Sequence, residues 1–184
     1  MTEAERLLRE AGALLEGHFQ LASGLHSGLY AEKFRLLEHP PQTDELCGMI
    51  AEWAKPLGPQ VVAGPTTGGI ILSYETARHL GLRSIFAERD EGGGRSFQRG
   101  FEIASGERVL VVDDVLTTGG SVRDVLNAVR QKGGEVVGVA VVIDRSGGKT
   151  DFGSPFFACL ELDLPTYDPG DCPLCEQGVP LTIT

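Results

Sequence analysis

The sequence predicts an α/β fold, in which a central parallel β-sheet carries helices on both faces and a small N-terminal hood is added. Two observations lead to this prediction. Short apolar runs rich in Val and Ile, typical of strands buried on both faces, alternate with segments of helical periodicity. In addition, the tetrapeptide Thr-Thr-Gly-Gly occurs at 66–69 and at 117–120, each time after an apolar run and before a helical pattern.

The elements can be assigned in order along the chain. Apolar residues at helical spacing predict a first helix over 3–16, for which Gly17 is a suitable C-cap. Residues 19–30 predict a hairpin with a Ser-Gly turn, which would cap an edge of the sheet. Helices are then expected at 42–55, 70–80 and 122–132, and strands at 61–64, 83–87, 109–112, 136–143 and 156–162. The sheet should therefore contain about four or five strands.

The composition fits a single domain and argues against two classes of partner. The chain has 184 residues, of which 41% are hydrophobic, and a formal net charge of −10. This charge disfavours nucleic acid as a partner, because contacts to phosphates need an excess of Lys and Arg. No apolar run approaches the roughly 18 residues that span a membrane, and residues 1–6 lack a signal-peptide core. Four Cys without such a signal indicate reduced thiols, so we expect a cytoplasmic protein.

The most informative stretch runs from Val109 to Ser121. The strand predicted over 109–112 leads into Asp113 and Asp114, and then into a loop of hydroxyls and glycines. Ligands of parallel sheets bind beyond the carboxyl ends of strands, where glycines let backbone N–H groups approach an anion. Two carboxylates suit ribose hydroxyls or a metal. The alternative is a buried strand followed by an Asp that caps a helix. It would explain one Asp and one Gly, but not two Asp, two Thr and two Gly in this order.

The two Thr-Thr-Gly-Gly loops should lie at one edge of the sheet, about 5–10 Å apart if their strands are one or two places apart. A ligand with phosphate groups at both ends of a ribose would bridge them. The alternative is that Gly68 and Gly69 only allow close packing of a helix.

The stretch 109–121 resembles the phosphoribosyl diphosphate (PRPP) motif of the type I phosphoribosyltransferases, and the resemblance extends over nearly the whole chain. It implies that the earlier loop holds pyrophosphate and the later loop the 5-phosphate. It also implies Mg²⁺, carried by PRPP near Asp113 and Asp114 rather than by dedicated protein ligands. The PRPP-binding residues that it implies are Thr66, Thr67, Gly68, Gly69, Asp113, Asp114, Val115, Leu116, Thr117, Thr118, Gly119, Gly120 and Ser121.

The pattern Leu-x-Ser-Gly-x-x-Ser over 21–27, followed by Tyr30, resembles the N-terminal hood of orotate phosphoribosyltransferases, which covers the pyrimidine. The sequence departs from the family at Ala22, which is usually Lys or Arg, and Lys33 or Arg35 could supply the missing cation. His26 is interpreted as a turn residue. The resemblance implies an orotate site that consists of Ser23, Gly24, Tyr30, Thr117 and Arg145. The alternative for Arg145 is a surface position in a glycine turn.

Three successive glycines at 92–94 predict a mobile loop over 88–100. In the family this loop closes over the neighbouring subunit's site, which implies a homodimer with shared sites. The Lys and His of the family's loop are missing here, so Arg89, Arg95 and Arg99 are the candidate catalytic cations. The alternative is a solvated β-hairpin without a role.

Cys172 and Cys175 form a C-x-x-C motif in a proline-rich tail. The motif suggests half a zinc site or a redox pair. Because no second pair of ligands is nearby in the sequence, structural thiols are favoured, with a metal bound across a dimer as the alternative.

The resemblance implies one phosphoribosyltransferase domain over 1–184, with a hood contribution from 1–40 and an α/β core over 55–165. The implied reaction joins orotate to PRPP, giving orotidine 5-monophosphate and pyrophosphate, a step of pyrimidine synthesis. Asp113 and Asp114 would hold the ribose hydroxyls and favour the positive charge that develops on the ribose. The alternatives are a purine-type phosphoribosyltransferase and a non-catalytic regulator that senses PRPP or a nucleotide.

Overall fold

The computed structural model describes residues 1–21 and 23–184 of the chain. Short 3-10 helices occur at Lys55–Leu57 and Pro169–Asp171. In chain order the other elements are α1 (Glu3–Glu10), β1 (Leu14–Gln20), β2 (His26–Ala31), α2 (Lys33–Leu37), α3 (Pro40–Ala54), β3 (Val61–Pro65), α4 (Gly68–Leu80), β4 (Arg83–Arg89), β5 (Arg95–Phe97), β6 (Arg108–Leu116), α5 (Gly120–Gln131), β7 (Glu135–Asp144), β8 (Phe156–Glu161), β9 (Thr166–Tyr167), α6 (Pro173–Glu176) and β10 (Thr182–Ile183).

The main sheet has six strands in the order β5-β4-β3-β6-β7-β8. The five strands predicted from apolar runs are all present and pair in parallel, which confirms the predicted α/β class. The sixth strand, β5, is antiparallel to β4 and was not predicted, because its three residues lie within the stretch interpreted as a loop.

Two apolar clusters cover the two faces of this sheet. Side chains of α1, α3 and α4 pack on one face with Leu110 and Val112 of β6. The inward residues of α5 pack on the other face with Val109 and Val111. Neighbouring residues of a strand point to opposite faces, so the apolar run of β6 supplies both clusters. Among the described residues, no helix is both long and apolar enough to cross a bilayer.

A second sheet of four strands contains the predicted hood hairpin. Its order is β10-β1-β2-β9, with β1 and β2 antiparallel around the turn that includes Gly24. The two outer strands come from the C-terminal tail. The hood is therefore completed by residues 166–184, which lie far outside the 1–40 segment expected to form it.

The predicted helix over 3–16 is wrong beyond Glu10. The chain turns at Gly12, whose φ of +65° is accessible to glycine at little cost. Leu14 and Leu15 then belong to β1, as does Gly17, which is not a helix cap. Helical spacing alone did not show this boundary, because both leucines also fit the preceding pattern.

The strand β6 is longer than predicted. It runs to Leu116 and therefore contains Asp113 and Asp114, which were expected to follow its end. Alternation along the strand separates the two carboxylates, so that Asp113 contacts Ser121 of α5 whereas Asp114 contacts Lys33.

Candidate active site

A cavity of about 750 Å³ opens where the two Thr-Thr-Gly-Gly loops meet. Because β3 and β6 are hydrogen-bonded neighbours, the loops that follow them lie at the same edge of the sheet, as predicted. The cavity is lined by Lys33, Pro65, Thr66, Thr67, Glu88, Arg89, Arg95, Asp113, Asp114, Val115, Thr117 and Ser121.

Asp113 lies at the base of this cavity and is only 4% exposed. One carboxylate oxygen accepts a hydrogen bond from the Ser121 hydroxyl at 2.7 Å, and the other accepts from the backbone N–H of Asp114 at 2.8 Å. Burial raises the pKa of Asp113 to about 6, and the negative charge of Asp114 adds to this shift. The hydrogen bond from Ser121 acts in the opposite direction. Ionisation of the Asp113 carboxyl therefore costs free energy when no ligand is bound.

This shift predicts how pH affects the stability of the ligand-free protein. The pKa of Asp113 is higher in the folded state than its usual value of 3.8, so the folded state binds the proton more tightly. The contribution of Asp113 to the free energy of unfolding should therefore fall as pH rises between these two values. We expect Asp113→Asn, which cannot ionise, to gain stability relative to wild type between pH 4 and about pH 7. Chemical unfolding of both proteins across this range tests it, and a constant difference would contradict it.

Asp114 is held by a cation and by a close glycine contact. Lys33 Nζ lies 2.9 Å from Asp114 Oδ2, and the other oxygen accepts from the backbone N–H of Val115 at 2.7 Å. A Cβ atom at Gly68 would lie 2.2 Å from Asp114 Oδ2, so only glycine leaves room for this carboxylate. Of the two residues that could supply the missing cation, Lys33 therefore reaches the site, whereas Arg35 is exposed and pairs with Glu38. Ala22, where the family's cation was expected, lies outside the described residues.

The first loop combines packing with exposure to the cavity. A Cβ atom at Gly69 would lie 2.6 Å from Pro65 Cδ, so both of its glycines are required for close packing, as the alternative interpretation held. Thr66 and Thr67, joined by a cis peptide bond, line the cavity. The loop thus has a packing half and a ligand-facing half, and binding of pyrophosphate here stays a prediction.

The second loop leads into the N-terminus of α5. Gly119 has a φ of +80°, which turns the chain into the helix, and the flanking Thr117 and Thr118 are exposed. Gly120 is also exposed, as the first residue of α5. Leu116 is different, because its side chain is 1% exposed and packs in the core. Any contact between Leu116 and PRPP would therefore be made by its backbone.

Residues 88–100 contain the β4–β5 hairpin, whose turn is held by Asp90. Arg95 points inward, is 9% exposed, and donates from Nη1 to Thr66 Oγ1 at 2.8 Å and to the Ala87 carbonyl at 3.2 Å. Arg99 forms two hydrogen bonds of 2.8 Å with Glu88. Arg89 is exposed at the cavity rim. The three arginines therefore occupy different environments, and mobility of this segment stays a prediction.

Arg145 follows β7 and lies beside the second loop, because its N–H donates to the Leu116 carbonyl at 2.8 Å. Its Nε is buried and lacks a hydrogen-bond partner among the described residues, as does the hydroxyl of Ser146. Burial lowers the pKa of Arg145, while the Tyr30 phenol opposes that shift. Arg145 is half-buried, and its buried Nε donor has no described partner. An anionic ligand would satisfy both the charge and this donor, since a buried donor without a partner is costly.

Of the other residues expected to bind a base, Thr117 lines the cavity beside Asp113 and Asp114, and three lie in the hood. Ser23 and Gly24 form the hairpin turn. Tyr30 packs against Phe19, with ring centroids 5.5 Å apart. Ser23, Gly24, Tyr30 and Arg145 are not among the described residues that line the cavity of Asp113 and Asp114, so their contact with a base stays a prediction. Three residues that line the cavity were not among the predicted site residues. They are Lys33, which the sequence suggested only as a substitute cation, Pro65 and Glu88.

Comparisons with known proteins agree with the fold and with the family resemblance. A family model for the phosphoribosyl transferase domain matches residues 36–167. An orotate phosphoribosyltransferase of Thermotoga maritima is 51% identical over 176 residues, which cover 96% of this chain and 94% of that protein. One of Desulforamulus reducens is 50% identical over 174 residues, covering 95% and 91%. The crystal structure of orotate phosphoribosyltransferase from Aeropyrum pernix matches with a TM-score of 0.73 at 26% identity, covering 88% of this chain and 94% of that one. The chain therefore belongs to the phosphoribosyltransferase family and, within it, to the orotate phosphoribosyltransferases.

Proposed function

We propose that this enzyme transfers the phosphoribosyl group of PRPP to orotate. The bond between C1 of the ribose and the pyrophosphate oxygen breaks, and its electron pair leaves with pyrophosphate. A ring nitrogen of orotate forms the new bond to C1 and loses its proton. The observation that supports this proposal most is the position of Asp113 and Asp114 between two Thr-Thr-Gly-Gly loops in one cavity.

Asp113 and Asp114, called the acidic pair below, suit a reaction in which the ribose becomes positively charged. When the C1–oxygen bond lengthens before the new bond forms, positive charge develops on the ring. Two fixed carboxylates beside the ribose stabilise that charge without reorganising, because Ser121 and Lys33 already hold them in place. Burial and the charge of Asp114 oppose ionisation of Asp113 in the free protein, and a cationic ring favours the ionised form in the transition state.

Arg95 is suited to the leaving group. Its guanidinium lies beside Thr66 of the first loop, where the resemblance places pyrophosphate. One Nη1 atom makes both of its described hydrogen bonds, so the remaining N–H groups can reach an anion in the cavity. Arg95 therefore replaces a family cation from within its own chain, and Arg89 adds a second charge at the rim.

Asp113 and Asp114 also fit a site in which Mg²⁺ binds together with PRPP. Mg²⁺ prefers oxygen ligands and usually keeps waters while binding substrate phosphates. Asp113 and Asp114 already have partners within the protein, so they suit contact through water or through the ribose hydroxyls. When bound, Mg²⁺ would neutralise charge on the departing pyrophosphate.

Orotate is a planar anion, and Arg145 is the group best suited to recognise its carboxylate. A guanidinium can donate two parallel hydrogen bonds to a carboxylate, and the buried Nε of Arg145 has no other described partner. The nearby Tyr30 belongs to the hood, which in related enzymes covers the pyrimidine.

We expect Arg145→Ala to raise KM for orotate much more than KM for PRPP, because Arg145 interacts with Tyr30 of the hood and does not line the cavity that contains Asp113 and Asp114. Loss of a paired, partly buried charge should cost about 2–3 kcal/mol of orotate binding. Steady-state kinetics with each substrate varied in turn provide the measurement. Equal effects on both KM values would remove Arg145 from the base site.

A homodimer with sites shared between subunits belongs to the same proposal, as does a cytoplasmic location. The exposed Arg89 and Arg99 lie on the hairpin that would reach a partner's site.

The direct test is a steady-state assay with PRPP and Mg²⁺ in which orotate is compared with adenine, hypoxanthine and xanthine. We expect turnover with orotate and none with the three purines. Turnover with a purine would assign the enzyme to the purine-type branch, and PRPP binding without turnover of any base would indicate a regulator.

A further inference from the structure

Four side chains of the kinds that bind zinc converge outside the cavity that Asp113 and Asp114 line. They are His18 of β1, His26 of β2, and Cys172 and Cys175 at the start of and within α6. One ligand atom from each lies within 4.8 Å of all the others. We propose that they bind one structural Zn²⁺ ion, which ties the C-terminal tail to the hood hairpin.

Three nitrogen–sulfur distances match a tetrahedral zinc site closely. His18 Nε2 lies 3.5 Å from Cys172 Sγ and 3.7 Å from Cys175 Sγ, and His26 Nδ1 lies 3.4 Å from Cys175 Sγ. Bond lengths of about 2.3 Å to sulfur and about 2.0–2.1 Å to nitrogen require nitrogen–sulfur separations of about 3.5 Å. The two nitrogens are 2.9 Å apart and need to separate by only a few tenths of an ångström.

A second contact decides which ring nitrogen of His18 carries a proton. Its Nδ1 lies 2.8 Å from the carbonyl oxygen of Val179, which can only accept, so Nδ1 carries the proton. In the tautomer with the proton on Nδ1, the Nε2 lone pair points toward the other three groups. One lone pair cannot accept hydrogen bonds from three donors at good geometry, whereas a metal at the centre uses one lone pair from each ligand. Ligating histidines commonly donate their second N–H to a carbonyl in this way.

Charge and burial also favour zinc. Two thiolates balance the charge of Zn²⁺, so the bound site is neutral, and the two thiol protons are released on binding. A neutral complex suits the surroundings, since His18, His26 and Cys172 are buried. Cys175 is exposed and leaves a path by which the ion can enter.

Four protein ligands leave no open position, which is typical of a structural rather than a catalytic zinc site. The part of the tail beyond residue 165 has only short elements, and its two strands have two residues each. Those strands form both outer edges of the hood sheet. A metal that joins β1, β2 and α6 would hold them there, because the four ligands meet only in the folded chain and the binding free energy of the ion therefore stabilises the folded hood.

This arrangement changes the interpretation of the C-x-x-C motif. The sequence favoured structural thiols because no other ligands were near, and it left a metal across a dimer as the alternative. His18 and His26 complete the ligand set within a single chain. The turn-residue interpretation of His26 is also wrong, since His26 begins β2 and is 4% exposed.

The first test is the metal content of untagged protein purified without chelators. We expect about one zinc ion per chain by mass spectrometry, and strong thiolate-to-metal absorption after replacement by Co²⁺. Removal of the metal with a strong chelator should lower Tm by about 5 °C or more and expose the tail to proteolysis.

The second test compares ligand variants with matched controls. Cys175→Ser and His18→Gln should lose the zinc, while Cys159→Ser and His39→Gln, which change the same residue types elsewhere, should retain it. Cys175 is exposed, so its substitution disturbs packing least. If a ligand variant does not fold, the Co²⁺ spectrum of the wild-type protein decides the question.

Three outcomes would overturn the proposal. They are zinc far below one ion per chain together with no Co²⁺–thiolate absorption, zinc that Cys175→Ser and His18→Gln both retain, and a disulfide between Cys172 and Cys175 in protein purified without oxygen. Metal content and the Co²⁺ spectrum do not depend on turnover, so they test this site independently of the proposed reaction.

Discussion

Asp113→Asn and Asp114→Asn are each expected to lower kcat roughly thirtyfold to thousandfold, which corresponds to a loss of about 2–4 kcal/mol of transition-state stabilisation. Each change keeps the shape of the side chain and removes a charge that matters most when the ribose is cationic. Both carboxylates line the cavity, and both are held by hydrogen bonds. The measurement is kcat for nucleotide formation, together with the free energy of unfolding of each variant.

Two controls make this result specific. Glu52→Gln removes one negative charge from the exposed face of α3, and it should leave kcat unchanged. Lys33→Met, alone and combined with Asp114→Asn, separates the loss of the carboxylate from the unpaired lysine that it leaves behind. Near-normal kcat in both Asp variants would show that the acidic pair does not act on the ribose.

Mixing two inactive variants is expected to restore about a quarter of wild-type activity if the hairpin acts on the partner subunit. One variant lacks Arg89 and Arg99, and the other carries Asn at 113 and 114. A mixed dimer then has one site with both defects and one site with none. Random re-pairing makes about half of all dimers mixed, so about a quarter of all sites are intact.

Arg95 provides the matched control. Its guanidinium contacts Thr66 of its own chain, so it should serve the same site as the acidic pair of that chain. Mixing Arg95→Ala with the variant that carries Asn at 113 and 114 should therefore leave activity at background. If subunit exchange is confirmed and the Arg89/Arg99 mixture also stays at background, the hairpin does not act in trans.

The sequence determined the fold class, the strand–loop–helix units and the acidic pair. All of these depend on residues close together in the chain. Apolar runs predicted the five parallel strands, and the repeated Thr-Thr-Gly-Gly predicted two loops at one edge of the sheet. The limits of these elements were less well predicted, as the end of α1 at Glu10 shows, because several short patterns fit both a helix and a strand.

Only the tertiary structure decided which distant side chains meet. The pairing of Lys33 with Asp114, the inward direction of Arg95, and the meeting of two histidines with the C-x-x-C motif have no local signal. His18 and Cys175 are separated by 157 positions and are brought together because the tail adds strands to both edges of the hood. Local sequence sets backbone preferences, whereas such contacts depend on how whole elements pack, and this packing is a property of the complete chain.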